Sequence, residues 1–325
     1  MSDAQRKTIE LYRSLMQINA SAHLLRIARQ CGVLEELMSG QKTLEDICTN
    51  RFLHREATAQ LLAALRVIGI VEKYGEDFAI SQAARLMQNY DGDLGDEVWN
   101  TLPDFLRGDR KREDTDDRVR QGYQSATQWI YTAAAMQTAE MLDIGGEGEK
   151  RGSRILDLGC GSAVWSCAIA HRDPSSEVVA VDHPEIVPAA RATADSIGLD
   201  TRVQTIEADP LQFEIEPETF DVLLIAQRMH HLSDEAAEAW LSRCLPGLVL
   251  GGRVVIIDLF EMPGQTSLHE SIEALRLTLQ TRDGHLRTLQ SSQSMMQNVG
   301  LDDVQFAFLA ATKAPIGVLT GRRSR

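Results

Sequence analysis

The C-terminal half of the chain is patterned as alternating strands and helices. Short, nearly continuous apolar runs recur from residue 154 onward, separated by segments in which apolar residues return every three or four positions. The first kind is typical of strands buried on both faces of a parallel sheet, and the second of amphipathic helices. We therefore predict a doubly wound, mostly parallel seven-stranded sheet of the Rossmann-like α/β class over residues 151–325. The first predicted strand begins at residue 154, and the others cover residues 177–182, 201–206, 220–226, 253–258, 304–310 and 316–320.

The first 95 residues carry a different pattern. Residues 8–28 and 55–68 repeat apolar side chains at helical spacing, and residues 70–80 fit two short strands around Gly75. The order of helix, helix and hairpin is typical of a winged-helix domain, whose usual function is DNA binding. Residues 1–90, however, hold 11 Lys and Arg against 10 Asp and Glu, and the second helix presents mostly Ala, Leu and Ile. We therefore predict a mainly α-helical, winged-helix-like domain over residues 1–95 that forms a homodimer, with DNA binding as the disfavoured alternative.

Residues 96–150 are predicted to be a helical connector that roofs a substrate pocket. They place much of the aromatic and methionine content of the chain just before the strand at residue 154. The segment 91–96 and the mixed charge run 107–118 are predicted as surface loops. Three large side chains are candidate contacts for a substrate, namely Trp129, Met136 and Met229.

The overall composition excludes several classes of function. With 25% charged and 43% hydrophobic residues, the chain has the composition of a soluble globular protein. Its formal charge of -14 at pH 7 opposes general binding to nucleic acid or to anionic membranes. No apolar run approaches the roughly 20 residues that a membrane helix needs, and the N-terminus lacks an apolar signal segment. We therefore expect a cytoplasmic protein whose partners are small molecules or itself. Five scattered cysteines form no C-x-x-C pair and no cluster has metal-ligand spacing, so no metal is expected.

The segment that begins at residue 154 carries the clearest chemistry. An apolar strand ends at Asp157 and Leu158, glycines follow at positions 159 and 161, and a helical segment starts at Val164. Glycines let the backbone turn sharply against a ligand, and the new helix offers unpaired N–H groups. The NAD fingerprint requires a third glycine where Val164 stands, and Asp157 would disfavour a pyrophosphate. A carboxylate here suits the ammonium and sulfonium groups of S-adenosylmethionine (SAM).

Further polar residues lie at the predicted carboxyl ends of the strands, where ligands bind in open α/β sheets. Asp182 ends the second strand and can accept hydrogen bonds from both hydroxyls of a ribose. Asp209 follows the third strand and can accept one from an adenine amino group. The segment 227–231 follows the fourth strand, so we expect it at the same edge of the sheet.

These residues resemble the successive motifs of class I SAM-dependent methyltransferases. The first motif of that family, acid-x-Gly-x-Gly-x-Gly, matches Asp157, Gly159, Gly161 and Ala163, with alanine in place of the last glycine. With its winged-helix-like start, the whole chain resembles the dimeric small-molecule O-methyltransferases related to the caffeate and acetylserotonin enzymes. The resemblance implies SAM as the cofactor and S-adenosylhomocysteine (SAH) as the product. The implied cofactor-binding residues are Asp157, Gly159, Cys160, Gly161, Asp182, His183, Asp209, Pro210 and Gln227.

The same family carries a Leu-His-Asp-Trp-x-Asp-Glu segment after the fourth strand, and residues 229–235 of this chain are Met-His-His-Leu-Ser-Asp-Glu. His230 falls on the general base of the family, while His231 and Leu232 replace its Asp and Trp. His231 is the rival candidate for the base. In an extended backbone the two histidines would point to opposite sides, so only His230 should face the acceptor. Asp258 or Glu261, from the end of the next strand, would orient the base.

A later segment, residues 284–288, is Gly-His-Leu-Arg-Thr and resembles the Gly-x-Glu-Arg-Thr of the family, with Leu286 in place of the acid. The full resemblance implies methyl transfer to a hydroxyl of a small, aromatic or polyketide-like acceptor. Two alternatives stay open. One keeps SAM but methylates carbon or uses SAM in non-methylating chemistry, and the other is a regulator or binding protein that uses its N-terminal domain.

Overall fold

The computed structural model describes residues 2–145, 151–261, 264, 267–312 and 314–324. The chain divides into two compact units, Met1–Asp96 and Glu97–Arg325, and each has a hydrophobic core. None of the helices in the described ranges is long and apolar enough to cross a membrane.

The first unit is mainly helical and contains a small antiparallel sheet. In chain order its elements are α1 (Asp3–Gln30), α2 (Val33–Met38), β1 (Lys42–Thr43), α3 (Leu44–Arg51), α4 (Arg55–Val67), β2 (Val71–Tyr74), β3 (Asp77–Ile80) and α5 (Gln82–Leu94). The strands pair in the order β1-β3-β2. The first helix begins where Ser2 and Gln5 cap each other's backbone N–H groups, a capping box that favours initiation there. The helices predicted over residues 8–28 and 55–68 are present as α1 and α4, and the predicted hairpin is the β2–β3 pair.

The segment 91–96, predicted as a loop, is largely helical, because α5 continues through Leu94. Two long-range contacts hold this end of the helix despite Gly92. Asp91 Oδ1 forms an ion pair with Arg29 Nη2 at 2.6 Å, and Leu94 is almost fully buried. The loop prediction is wrong because local composition carries no information about these two contacts.

The second unit alternates strands and helices after a helical start. Helix α6 (Asp96–Trp99) spans the boundary between the units. The later elements are α7 (Leu102–Arg107), α8 (Asp117–Ser125), α9 (Thr132–Met141), β4 (Arg154–Leu158), α10 (Val164–Arg172), β5 (Glu177–Asp182), α11 (Val187–Ser196), β6 (Val203–Glu207), β7 (Phe220–Ala226), α12 (Asp234–Cys244), β8 (Leu248–Glu261), α13 (Leu268–Gln280), β9 (Arg287–Thr288), α14 (Leu289–Asn298), β10 (Leu301–Phe308) and β11 (Ile316–Arg323). Short 3-10 turns lie at Gln128–Tyr131, Met229–His231 and Leu245–Gly247.

The strands of this unit form one sheet in the order β10-β11-β8-β7-β4-β5-β6, with β9 paired to the end of β8. The strands from β8 to β6 are parallel, whereas β11 and β10 are antiparallel. Because β4 leads to β5 on one side and adjoins β7 on the other, the ends of β4 and β7 flank the switch point where such sheets bind ligands. The predicted mostly parallel, Rossmann-like sheet is confirmed.

Both faces of the sheet are buried, which explains the continuous apolar runs. In β4, Ile155 enters one core cluster with Trp165, while Leu156 and Leu158 enter the other with Trp240. A strand whose alternate residues both face a core has no position for a solvent-facing polar residue.

The charge run 107–118 is not a simple surface loop. We call its central part, residues 109–116, the strap. Arg112 in the strap donates hydrogen bonds to three carbonyl oxygens at the end of α13 and beyond, those of Leu277 (3.3 Å), Thr281 (3.1 Å) and Gly284 (2.6 Å). The Thr115 N–H donates to the Gln280 carbonyl (2.8 Å). The loop prediction is incomplete here, because Arg112 and Thr115 form hydrogen bonds to carbonyl groups at the end of α13 and just after it.

Candidate active site

Strand β4 ends in a tight turn built from left-handed residues. Gly159, Gly161 and Ala163 adopt φ angles of 71°, 56° and 55°. The N–H groups of Gly159 and Cys160 both donate to the Val181 carbonyl of β5, at 2.9 and 3.3 Å. Glycine reaches such angles at little cost, whereas alanine there costs about 1–2 kcal/mol. Ala163 therefore keeps the backbone conformation of a glycine at some cost in stability.

Two long side chains lie over this turn. A Cβ at Gly159 would be 2.7 Å from Arg228 Nε, and one at Gly161 would collide with Gln128 Oε1. Gln128 Oε1 also accepts hydrogen bonds from the N–H (2.7 Å) and the hydroxyl (3.0 Å) of Ser162. From the sequence, Arg228 is predicted at this edge only as part of the segment 227–231 and without a role, and sequence reasoning missed Gln128. A charged residue two positions after the apolar strand β7 was the available signal for Arg228, and none pointed to Gln128.

Asp157 is buried at the end of β4, with 1% of its surface exposed. Its Oδ2 accepts a hydrogen bond from Ser166 Oγ (2.5 Å), and its Oδ1 has no hydrogen-bond partner among the described residues. Burial raises the pKa of Asp157 to about 7, with the Ser166 hydrogen bond opposing and the charge of Asp182 adding to the rise. A cation beside Oδ1 would favour the ionised form.

Asp182, the last residue of β5, is buried beside the same turn. It accepts hydrogen bonds from the N–H groups of Gly161 (2.9 Å) and His183 (2.8 Å). Burial raises the pKa of Asp182, and the positive charge of Arg228 is the largest opposing influence. Arg228 therefore faces both the glycine turn and the carboxylate predicted to bind a ribose. His183 itself is half-buried.

The end of the third parallel strand, β6, is more open. Asp209 is exposed and accepts a hydrogen bond from the backbone N–H two residues later (2.8 Å), which is a local turn contact. Pro210 is buried, and its carbonyl accepts a hydrogen bond from Trp240 Nε1 (3.2 Å). Their predicted contact with adenine stays a prediction.

The end of β7 brings Gln227 to the site. Its backbone is left-handed (φ 55°), and its side chain is hydrogen-bonded to the Tyr131 hydroxyl. Tyr131 stacks on Trp165 with 6.0 Å between ring centroids. Burial raises the pKa of the Tyr131 hydroxyl. The structure thus adds Tyr131 as a polar group near the strand ends.

The three predicted substrate contacts differ in their surroundings. Trp129 is half-exposed on the same 3-10 turn as Tyr131, and Met136 packs against the core cluster that contains Trp165. Met229 is buried in the opposite cluster with Trp240. The burial of Met229 gives no support to its predicted contact with an acceptor.

His230 lies on the 3-10 turn after β7 and is paired with Asp258 of β8. His230 Nδ1 is hydrogen-bonded to Asp258 Oδ1, and the His230 backbone N–H donates to Oδ2 (3.0 Å). The Leu259 N–H donates to the same carboxylate (2.9 Å). Of the two acids predicted to orient His230, Asp258 makes this contact, while Glu261 is exposed.

The two histidines are neighbours rather than opposed. Their ring centroids are 4.2 Å apart, and Arg276 Nη2 lies 3.5 Å from His230 Nε2 and 3.4 Å from His231 Nε2. The prediction that they point to opposite sides is wrong, because Met229–His231 is a 3-10 turn and not an extended strand. Successive residues of a 3-10 helix differ by about 120°, so both rings fit on one side.

Helix α13 presents charged side chains to both histidines. Glu273 Oε1 lies 3.6 Å from His230 Nε2, and both oxygens of Glu273 accept hydrogen bonds from Arg276 Nε (2.9 and 3.0 Å). Arg276 Nη1 donates to Gln280 Oε1 (3.2 Å). Sequence reasoning missed this group. Its signal was the recurrence of polar residues at 273, 276 and 280, which share one face of an amphipathic helix.

The carboxylates flanking His230 set its charge. Burial alone would lower the pKa of His230, but Asp258 and then Glu273 outweigh burial, and the pKa is raised above 6.5. Burial alone would raise the pKa of Glu273, but Arg276 and His230 hold it well below its usual range. Glu273 therefore stays ionised, and His230 is protonated to a larger extent at neutral pH than an ordinary histidine.

Arg287 holds the turn that carries the histidines. It donates hydrogen bonds to the carbonyls of Met229 (2.6 Å) and Leu232 (2.8 Å) and pairs with Asp234 (2.7 Å). Gly284 lies against the same turn, since a Cβ there would be 2.8 Å from the His230 carbonyl oxygen. Segment 284–288 therefore supports the position of His230.

A cavity of about 200 Å³ opens next to the histidines. The cavity lies between the strap, the segment that follows β6 and the turn after β7. Its lining residues are Asp114, Thr115, Leu211, Arg228, His231, Leu232, Trp240 and Thr281.

Comparison with known proteins agrees with this geometry. Residues 155–252 match a family model described as a methyltransferase domain. Over 151 residues the chain is 30% identical to acetylserotonin O-methyltransferase of Mus musculus, and the match covers 45% of this chain and 38% of that protein. The chain thus spans well under half the length of that curated relative.

Two further matches extend over most of the chain. The chain is 25% identical over 306 residues to aclacinomycin 10-hydroxylase RdmB of Streptomyces purpurascens, covering 85% of this chain and 80% of that protein. The crystal structure of human N-acetylserotonin methyltransferase in complex with SAM is similar with a TM-score of 0.70 at 17% identity, covering 100% of this chain and 99% of that chain. At that identity the structural match shows the fold alone. Residues 155–252 thus match a methyltransferase domain, and the fold of the whole chain is that of the solved methyltransferase structure.

Proposed function

We propose that this chain transfers a methyl group from SAM to a hydroxyl of a small, aromatic or polyketide-like molecule, with His230 as general base and SAH as product. The observation that carries the proposal is the His230–Asp258 pair beside the glycine turn of β4. When bound, SAM supplies a methyl group on a positively charged sulfur. The residues of this chain would bind it, orient the acceptor and remove the acceptor proton.

The residues at the turn fit SAM. Asp157 offers a buried carboxylate oxygen that no described residue engages, which suits the ammonium or sulfonium group. Asp182 offers a buried carboxylate for the ribose, and the glycines at 159 and 161 permit close approach of a ligand. Arg228 covers Gly159 with Cγ, Cδ and Nε, and Gln128 covers Gly161 with its terminal amide, so both side chains would have to move for a ligand to contact the turn.

The base follows from the hydrogen bonds of His230. With Asp258 at Nδ1, the neutral ring keeps its proton on that nitrogen, so the lone pair for the proton of an acceptor hydroxyl is on Nε2, the nitrogen that faces Glu273 and Arg276. A phenol with pKa near 10 is mostly protonated at neutral pH and reacts poorly as a nucleophile without such help. Asp258 then stabilises the imidazolium that forms.

A labelling experiment tests the function. Calorimetry should show binding of SAM and SAH and none of NAD. Incubation with methyl-labelled SAM and a panel of phenols and hydroxylated polyketides should label an oxygen of at least one acceptor. Absence of SAM binding would reject the proposal and favour a regulator or binding protein.

Carbon methylation or non-methylating chemistry with SAM is the second candidate. It is favoured by the relative that matches 85% of the chain and is named a hydroxylase, and by His231 and Leu232 in place of the usual Asp and Trp. Mass spectra and NMR of the product separate the cases. A label on carbon, or a product without the label, would replace O-methylation by this candidate.

We also propose that the chain forms a homodimer through its first unit. Helix α1 has 28 residues, of which only Ala28 is buried. Its exposed side chains include Leu11 (61%), Tyr12 (62%), Leu15 (56%) and Ile18 (65%). An exposed apolar surface of this extent marks an interaction site, and a second copy of the chain is the simplest partner.

A further inference from the structure

The geometry points to Glu273, held by Arg276, as a positioning residue that sets the protonation of His230 from the side opposite Asp258. This inference rests on the proposed function, because it concerns the base of that reaction. It goes beyond the sequence resemblance, in which the acid before Arg287 is replaced by Leu286. The two flanking carboxylates come here from β8 and α13.

The two carboxylates contact different nitrogens. Asp258 occupies Nδ1 and is itself fixed by the backbone N–H groups of His230 and Leu259. Glu273 Oε1 lies 3.6 Å from Nε2, an ionic contact longer than an ordinary hydrogen bond. Nε2 is the nitrogen that receives the acceptor proton in the proposed reaction. Glu273 therefore acts through its charge on the nitrogen whose protonation changes.

Arg276 keeps Glu273 charged and in place. It contacts both carboxylate oxygens through Nε and is anchored to Gln280 through Nη1. Glu273 and Arg276 are 9% and 5% exposed, so solvent screens their charges only weakly. Arg276 Nη2 also faces Nε2 of His230 and of His231, and its positive charge opposes protonation of His230. The charged and titratable groups that face His230 are thus Asp258, Glu273, Arg276 and His231.

The two members of the ion pair should shift the pKa of His230 in opposite directions. Glu273→Gln removes a negative charge near Nε2, and the pKa should fall by about one unit, the lower end of the effect of a neighbouring opposite charge. Arg276→Met removes the positive charge that faces Nε2, while His230 itself still favours the ionised form of Glu273, so the pKa of His230 should rise. A group that only supports the packing of α13 would give no such pair of opposite shifts.

The test is an NMR titration of the full-length protein without acceptor, with the His230 resonance assigned by comparison with His230→Gln. The acid limb of the kcat/KM profile should follow the same shifts. Glu214→Gln, which removes an exposed carboxylate between β6 and β7, is the matched control and should leave the titration in place. If one variant fails to fold, the other still tests the predicted sign.

Unchanged His230 titration in a folded Glu273→Gln or Arg276→Met, or shifts of the same sign in both, would overturn the inference while leaving methyl transfer intact. Conversely, loss of the proposed function would appear as absence of SAM binding or of labelled product in the wild type. The NMR readout does not depend on either.

Discussion

At the scale of single residues, the proposed chemistry depends on the ionisation of His230 and Asp157. Replacement of His230 by alanine should preserve SAM affinity and lower turnover by about 10²–10⁴-fold, the usual contribution of a general base. His171→Ala, which alters an exposed histidine near the end of α10, should keep wild-type turnover. Because the neutral imidazole is required and the pKa of His230 is raised, activity should increase with pH through a midpoint above 6.5. Equal turnover of His230→Ala and wild type on the true acceptor would remove the base assignment.

Asp157 should make SAM binding depend on pH. Its pKa is raised to about 7, so the carboxylate that attracts the cation is protonated below that pH. Calorimetric affinity should fall by about tenfold per pH unit below 7 and level off above it, as one-proton linkage requires. Asp157→Asn should bind weakly without this dependence, and the same dependence in that variant would assign the proton to another group.

The free protein should show the opposite trend in stability. A carboxyl group whose folded-state pKa is raised stabilises the fold most fully below its unfolded-state pKa of 3.8. That contribution is lost as the pH rises through about 7. A rise in pH through about 7 should therefore strengthen SAM binding and at the same time remove the contribution of Asp157 to the stability of the fold.

At the scale of elements, the left-handed backbone of Ala163 in the glycine turn should lower the stability of the fold by an amount that can be measured. Ala163 is left-handed and is the N-cap residue of α10, so Ala163→Gly should raise the free energy of unfolding by about 1 kcal/mol. The matched control, Ala192→Gly on the exposed face of α11, should lower it by about 1 kcal/mol, because glycine is unfavourable inside a helix. Urea unfolding measures both, and destabilisation by Ala163→Gly would contradict the strain.

The strand ends show what could be predicted from sequence. The glycine turn, Asp157 and Asp182 follow from local pattern, because apolar runs define the strands and parallel strands end at one edge. The contact of His230 with Asp258 follows from the same rule, although the choice between Asp258 and Glu261 needed the hydrogen bonds.

The missed residues depend on tertiary packing. Glu273 and Arg276 lie on α13. The periodicity of apolar residues predicts this helix but does not predict that it packs over the histidines. The wrong direction of His231 has a local cause, since the apolar pattern of β7 does not reveal that a 3-10 turn follows the strand at Met229–His231.

At the scale of the whole molecule, we expect a dimer. Light scattering should give twice the chain mass of 36.0 kDa. The double substitution Leu11→Glu and Leu15→Glu places charges one helical turn apart on the exposed surface of α1 and should give monomers. Glu76→Lys, in the turn between β2 and β3, is the charge-changing control and should remain dimeric. A monomeric wild type would contradict the proposed interface.

The contacts of the strap limit which segments of this chain can be replaced by those of a related protein. Arg112 and Thr115 donate hydrogen bonds to carbonyl groups at the end of α13, the helix that carries Glu273 and Arg276, and in the segment just after it. A chimera that imports a foreign strap alone would lose the hydrogen bonds to the carbonyls of Gln280, Thr281 and Gly284 and would disturb the support of the histidines. The strap and residues 268–284 form one transplantable module, so attempts to change acceptor preference by loop swapping should move both segments together.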